Sequence, residues 1–228
     1  VFRTIIIACL TATALSVPMA AYGKLLDGDS HYTPPTAPLE IRNSQDFSAP
    51  FDTTWRALVS HLSETSFVID NIDKASGLIT LSFSVPEAGS ALDCGQWSLW
   101  VKNLRGRRDY AYAGAADFAR YEAVNAGNLY THERRMTLSG KMNIFATALD
   151  DTSTRVKVTV RYVPAISLTA STFELDMNFN RRPPQTVNDT SSFNTGQEGQ
   201  FTHGLTTCRA KGTLERSLLD SIAATLAP

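Results

Sequence analysis

The chain has 228 residues, enough, after a leader and a linker, for one ordinary domain with a buried core. Its 21 basic and 22 acidic side chains leave a formal charge of -1, so it lacks the basic excess expected of a nucleic-acid binder. The basic residues that do gather (Lys102, Arg105, Arg107 and Arg108; Arg134 with Arg135; Arg181 with Arg182) stand beside Gly, Asn or Pro and read as solvated loop, not as a docking patch.

Residues 1–23 hold one basic residue, Arg3, followed by an apolar run from Ile5 to Ala21 that ends in small residues, which is the pattern of a secretory signal peptide. The run is too short and too interrupted, at Pro18 among other places, for a membrane span. Within it, Ile6-Ile7-Ala8-Cys9 resembles a bacterial lipobox, whose cysteine becomes a lipidated N-terminus. Two outcomes stay open: lipidation at Cys9, which anchors the protein to a membrane, or cleavage near residues 20–23, which releases it into the periplasm.

Residues 24–50 contain Pro34, Pro35, Pro38 and Pro50 with few large apolar side chains, and predict an extended Pro-rich tether. A single domain over 51–228 follows. Phe51, Trp55, Leu58 and Leu62 recur at helical spacing, with Asp52 and Thr53 as candidate caps. Phe67–Ile72 and Leu78–Val85 predict a hairpin through Asp73-Lys74-Ala75-Ser76-Gly77. Residues 86–134 show no sustained period, although Trp97, Leu99 and Val101 alternate over a short stretch. Met136–Leu149 and Arg155–Val163 predict a second hairpin, because Val156, Val158 and Val160 alternate with Lys157, Thr159 and Arg161. Thr172–Phe179 alternates as a further strand, and the polar residues 180–200 read as a mobile loop. Leu214, Leu218, Leu219, Ile222 and Leu226 share one face of a closing helix that starts near Thr213, with Glu215 in its first turn. The predicted fold class is α+β: an antiparallel β-sheet with an N-terminal and a C-terminal helix packed on one face.

Cys94 and Cys208 are the cysteines of the predicted domain, and an oxidising compartment favours a disulfide between them. The four histidines, His31, His61, His132 and His203, are scattered, with no His-Glu-x-x-His and no Cys in ligand spacing, so no metal site or cofactor is predicted. No Gly-x-Ser-x-Gly elbow, phosphate loop or dinucleotide fingerprint appears. His132, beside Glu133, and His203, beside Thr202, are the residues around which a hydrolytic site could be assembled in space. The aromatics Trp97, Trp100, Tyr110, Tyr112, Phe118, Tyr121 and Tyr130 have two roles open to them, core packing or a ligand surface.

The pattern Trp55-x-x-Leu58-x-x-x-Leu62, then Phe67-Val68-Ile69, then Asp73-Lys74-Ala75-Ser76-Gly77-Leu78-Ile79 resembles the repeating unit of BamC-type outer-membrane lipoproteins. The resemblance implies a helix-on-sheet domain that binds protein partners at the cell envelope without catalysis. It covers about thirty residues, and the chain departs from that family in carrying one such unit instead of two and in its Cys94 and Cys208 pair. The expected function is therefore envelope binding or assembly with a protein partner, and the alternative is a small periplasmic hydrolase built on His132 or His203.

Overall fold

The computed structural model describes residues 26–172, 182–202 and 206–227. The leader with Cys9, most of the strand expected over Thr172–Phe179, and His203 lie outside those residues. In chain order the elements are β1 (Asp27–Thr33), β2 (Ser44–Phe47), α1 (Phe51–Ser63), β3 (Val68–Asp73), β4 (Leu78–Val85), α2 (Ala88–Ala91), β5 (Leu92–Asp93), β6 (Gln96–Asn103) and β7 (Gly106–Ala113). They continue as β8 (Phe118–Asn125), β9 (Asn128–Ala148), β10 (Thr154–Thr172), β11 (Gln185–Thr190), β12 (Phe193–Asn194), β13 (Glu198–Gln200), β14 (Thr207–Ala210) and α3 (Thr213–Leu226). The fold is mainly antiparallel sheet with few helices, within the expected α+β class.

The β9–β10 hairpin dominates the architecture. Its ladder runs unbroken from Thr154 opposite Ala148 to Thr172 opposite Tyr130, well past the ends expected from the alternating valines. β4 pairs with β9 and β3 with β4, as the first predicted hairpin requires, and a bulge at Asp70 shifts the register between Ile69 and Asn71. On the other side of the hairpin, β2, β11 and β12 all add to β10, while β8 adds to β9. A second sheet has the order β1-β6-β7 and a third the order β13-β14-β5.

Alternation decides what each strand buries. Met136, Leu138, Met142, Ile144 and Ala146 of β9 join Ile79, Leu81 and Phe83 of β4 and Val156, Val158, Val160 and Tyr162 of β10 in the main core. Leu58 and Leu62 of α1 and Leu218, Leu219 and Ile222 of α3 belong to the same core. Gly140 interrupts the buried series where Phe83 crosses it, because a Cβ there would meet the Phe83 ring at 2.6 Å. A second, smaller cluster gathers Leu99, Ala119 and Tyr121 with Trp97, Tyr110, Tyr112, Ala123 and Leu168, and joins the β1-β6-β7 sheet to the far end of the hairpin.

Several expectations are corrected. Over 26–50, the described part of the expected tether 24–50, the chain is not free: β1 pairs along its whole length with β6, and β2 pairs with β10. Their side chains are mostly half-exposed or exposed, so the segment reads as polar although its backbone belongs to the sheets. Asp52 and Thr53 do not cap α1, whose first free N–H groups at Thr53 and Thr54 donate to the Pro50 carbonyl; Asp52 pairs with Lys74 at 2.8 Å. The stretch 86–134 holds two complete hairpins, β6–β7 and β8–β9, the second turning on Ala126 (φ 48) and Gly127 (φ 79), both left-handed as a two-residue hairpin turn requires. The polar loop expected over 180–200 holds β11, β12 and β13, in which Phe193 is buried and most other side chains face water.

The predicted disulfide is present. Cys94 and Cys208 are bonded, with Cα atoms 4.0 Å apart, slightly closer than the common range of about 4.4–6.8 Å.

Candidate functional site

Beyond the main core the inward-facing series of β9 continues toward its start as Arg134, His132 and Tyr130, two residues apart and so on one face. The β1-β6-β7 sheet approaches this end of the hairpin, and between them lies a cleft of about 250 Å³. Leu99, Tyr112, Tyr121, Ala123, Ile166 and Leu168 supply most of its apolar wall. Hollows of about 370 Å³ along the outer side of β6–β7 and about 390 Å³ beside the disulfide are larger, but they open more widely to water. The smaller cleft holds the unusual chemistry.

Its centre is a column of rings. Tyr112 stacks on Tyr121 with centroids 5.1 Å apart, and Tyr121 stacks on His132 at the same distance. The second contact follows from register, since Tyr121 of β8 stands directly opposite His132 of β9. Burial, reinforced by the neighbouring Tyr121 hydroxyl, pushes the Tyr112 phenol well above its ordinary range, so it stays protonated as a donor.

Arg134 is 4% exposed. Its Nη1 donates to the Ala116 carbonyl at 3.2 Å and its Nη2 to the Gly114 carbonyl at 2.5 Å, while Nη2 also lies 3.7 Å from Met136 Sδ. Its guanidinium carbon lies 5.8 Å from the Tyr112 ring centroid. No carboxylate pairs with it among the described residues, and burial pulls its pKa down from the usual arginine value. Arginine nevertheless keeps its charge in proteins. Asp189, the acid of the cleft wall, is engaged elsewhere: its Oδ1 accepts from the Thr190 N–H at 2.8 Å and from Thr202 Oγ1 at 3.1 Å.

His132 Nδ1 is buried and has no hydrogen-bond partner among the described residues. Desolvation holds its pKa below the ordinary histidine value. A histidine neutralised by folding binds fewer protons than in the unfolded chain. Its contribution to stability is thus complete above the unfolded value of about 6.5 and is lost as pH falls through the lower folded value. Urea midpoints of the wild type and His132→Phe, measured from pH 7.5 to 5.5, should therefore diverge on acidification, the wild type losing more. Parallel curves would show that His132 is not held neutral by the surrounding Tyr121, Tyr130 and Arg134.

No known family, curated protein or solved structure matches this chain. The site therefore has to be read from its own residues. His132 lines the cleft, but it is not joined to an acid or a nucleophile by any hydrogen bond among the described residues. Glu133, its sequence neighbour, is not on the cleft wall, because adjacent residues of a strand point to opposite faces. Of the seven aromatics with two open roles, Trp97, Tyr112 and Tyr121 line the cleft, and Trp97 Nε1 donates to Thr206 Oγ1 at 3.2 Å. Trp100 instead carries Arg107 over its ring, and Phe118 carries Arg135. Among the described residues no group of three or more His, Cys, Asp or Glu side chains is placed to hold a metal ion.

Sequence reasoning missed Arg134. The doublet Arg134-Arg135 looks like solvated loop, and Arg135 does face outward. The signal was available in the parity of the strand: counting back by twos from Leu138 and Met136 reaches Arg134 and then His132 on the buried face.

Proposed function

We propose that this is an exported cell-envelope protein that acts by binding rather than by catalysis, with the cleft beside Arg134 and His132 as its binding surface. The observation that carries the reading is the composition of that cleft: a mostly apolar and aromatic wall with a few convergent polar groups, and a histidine that, among the described residues, has no orienting acid of the kind a general base needs. In this reading the protein sits in the periplasm, held to the outer membrane through lipid on Cys9 or released by cleavage near residues 20–23, and meets a protein partner there. No helix among the described residues is long and apolar enough to cross a membrane. The helices α1 and α3 lie on one face of the long sheet, a placement supported by their shared core with β4, β9 and β10. The likeness to the BamC-type unit belongs to the same proposal, and α1, β3 and β4 do follow one another in that order.

Photo-crosslinking in intact cells that express the full chain tests it. A crosslinker at Val187, on the cleft wall and 45% exposed, should give a discrete adduct in the envelope fraction. The same group at Leu149, equally exposed but at the opposite end of the β9–β10 hairpin, should give none. Equal labelling from both positions, or recovery of the protein in the cytoplasm, overturns the proposal.

A further inference from the structure

A buried guanidinium is costly unless an anion accompanies it. Transfer of an isolated charge into an apolar interior is penalised by several kcal/mol even after relaxation, and for this reason buried charges are normally paired. Among the described residues Arg134 bonds to two backbone carbonyls and a thioether and stands over the Tyr112 ring, which satisfies part of its five-donor fork but supplies no negative charge. The Nε–H is not among those bonds. Nor is the neighbouring histidine satisfied, since His132 Nδ1 is shut away from water without a partner among the described residues. Both residues line the same cleft. Two residues apart on one strand, their Cα atoms stand about 7 Å from each other, near enough for one anionic group to accept from both.

The rest of the wall limits what carries that anion. Leu99, Ile166 and Leu168 offer apolar surface, and the Tyr112–Tyr121–His132 column offers ring edges and faces. A volume of about 250 Å³ is just under the usual range of about 300–1,000 Å³ for drug-sized ligands. Asp189 stands on the same wall and would repel an anion placed beside it, yet its Oδ1 already takes two donors. The anion therefore belongs at the Arg134 and His132 end.

We propose that the cleft binds a small amphiphilic carboxylate, its charged end between Arg134 and His132 and its apolar or aromatic body against Leu99, Ile166 and Leu168. This deepens the binding reading above and rests on it. The ligand completes the ion pair that the described residues leave open, and a guanidinium fork suits the two oxygens of a carboxylate.

Isothermal titration of the intact, disulfide-bonded protein with 3-phenylpropionate and with its neutral amide tests the assignment. The acid should bind at least about tenfold more tightly than the amide, as a charge-assisted bond in a desolvated site requires. That preference should fall below about twofold in Arg134→Gln, and His132→Phe should weaken the acid more than the amide. Because Arg134 also ties the Gly114 and Ala116 carbonyls, Arg134→Gln can fail to fold; the acid-to-amide ratio in the wild type, together with His132→Phe, then decides. If the amide binds as tightly as the acid in the wild type, the anion assignment is wrong while the cleft remains a binding surface. If neither binds, and the signals of Trp97 and Tyr121 do not move in a parallel NMR titration, the anion assignment and the cleft reading both fall.

Discussion

Replacing Cys94 and Cys208 together by alanine is expected to lower the unfolding free energy by about 4 kcal/mol, the largest single loss this fold should show. The two residues are 114 apart in sequence, and in the chain-entropy view a crosslink closing a loop of that length stabilises by up to about 4–5 kcal/mol. Both sulfurs are in the main core, where Cys94 is 1% exposed and Cys208 fully buried, so loss of packing adds to loss of the crosslink. The bridge joins β14 to the short connection between β5 and β6, directly after the two-residue pairing of β14 with β5. Tyr32 supports the same junction. Its hydroxyl lies 2.9 Å from the Thr207 carbonyl and 3.2 Å from the Cys94 carbonyl, and it accepts from the Thr207 N–H at 2.9 Å. Urea denaturation of the double variant beside the oxidised and reduced wild type measures the effect. A loss below about 1 kcal/mol would mean that the unfolded chain is little constrained by this link.

Glu215→Ala should cost about 2–4 kcal/mol although the residue touches no ligand cleft. Glu215 is fully buried; its Oε2 accepts from the Tyr162 hydroxyl at 2.8 Å and its Oε1 from Thr195 Oγ1 at 2.7 Å. Tyr162 is itself fully buried, and burial together with the nearby carboxylate pushes its phenol far up, so it remains a donor. Truncating Glu215 leaves that donor without an acceptor and opens a cavity, and each loss is worth a few kcal/mol at most. Thr195 suffers less, because its hydroxyl can turn to the Val160 carbonyl 3.3 Å away. Thermal and urea unfolding should rank Glu215→Gln as milder than Glu215→Ala, since the amide keeps one acceptor. The pair Glu215→Leu with Tyr162→Phe should recover part of the loss, because removing both partners leaves nothing unsatisfied. If the double variant is worse than Glu215→Ala alone, the buried bond is not the source of the stability.

Glu215 also illustrates where sequence reasoning stops. In the chain it is an acid in the first turn of a helix, a position in which carboxylates usually face water and complement the helix dipole. Its burial follows from α3 crossing β10 at Tyr162, a contact between residues 53 apart that no local pattern announces. The same limit separates the two hairpins. Val156, Val158 and Val160 alternate against charged neighbours, so one wet face is legible. Residues 86–134 carry Ala, Gly and Tyr at both parities, and their strands face other strands through half-exposed rings, which blurs the period although the backbone pairing is regular.

Local information in the chain determined the elements whose two faces meet different media, namely both long helices, β4 and the centre of β9–β10, together with β3, which is exposed along its length and follows from its turn to β4. It also determined the cysteine pair, because few partners were available to each. Tertiary structure alone decided the rest. β1, β2 and β11 are strands because sheet edges were free to accept their backbone, whatever their polar side chains suggested. Arg134 is buried because β9 runs past the main core and a second sheet covers its end. Burial of a charge is a property of what lies opposite it, and what lies opposite β9 comes from residues as distant as Ser30 and Thr206, beyond the reach of any spacing rule.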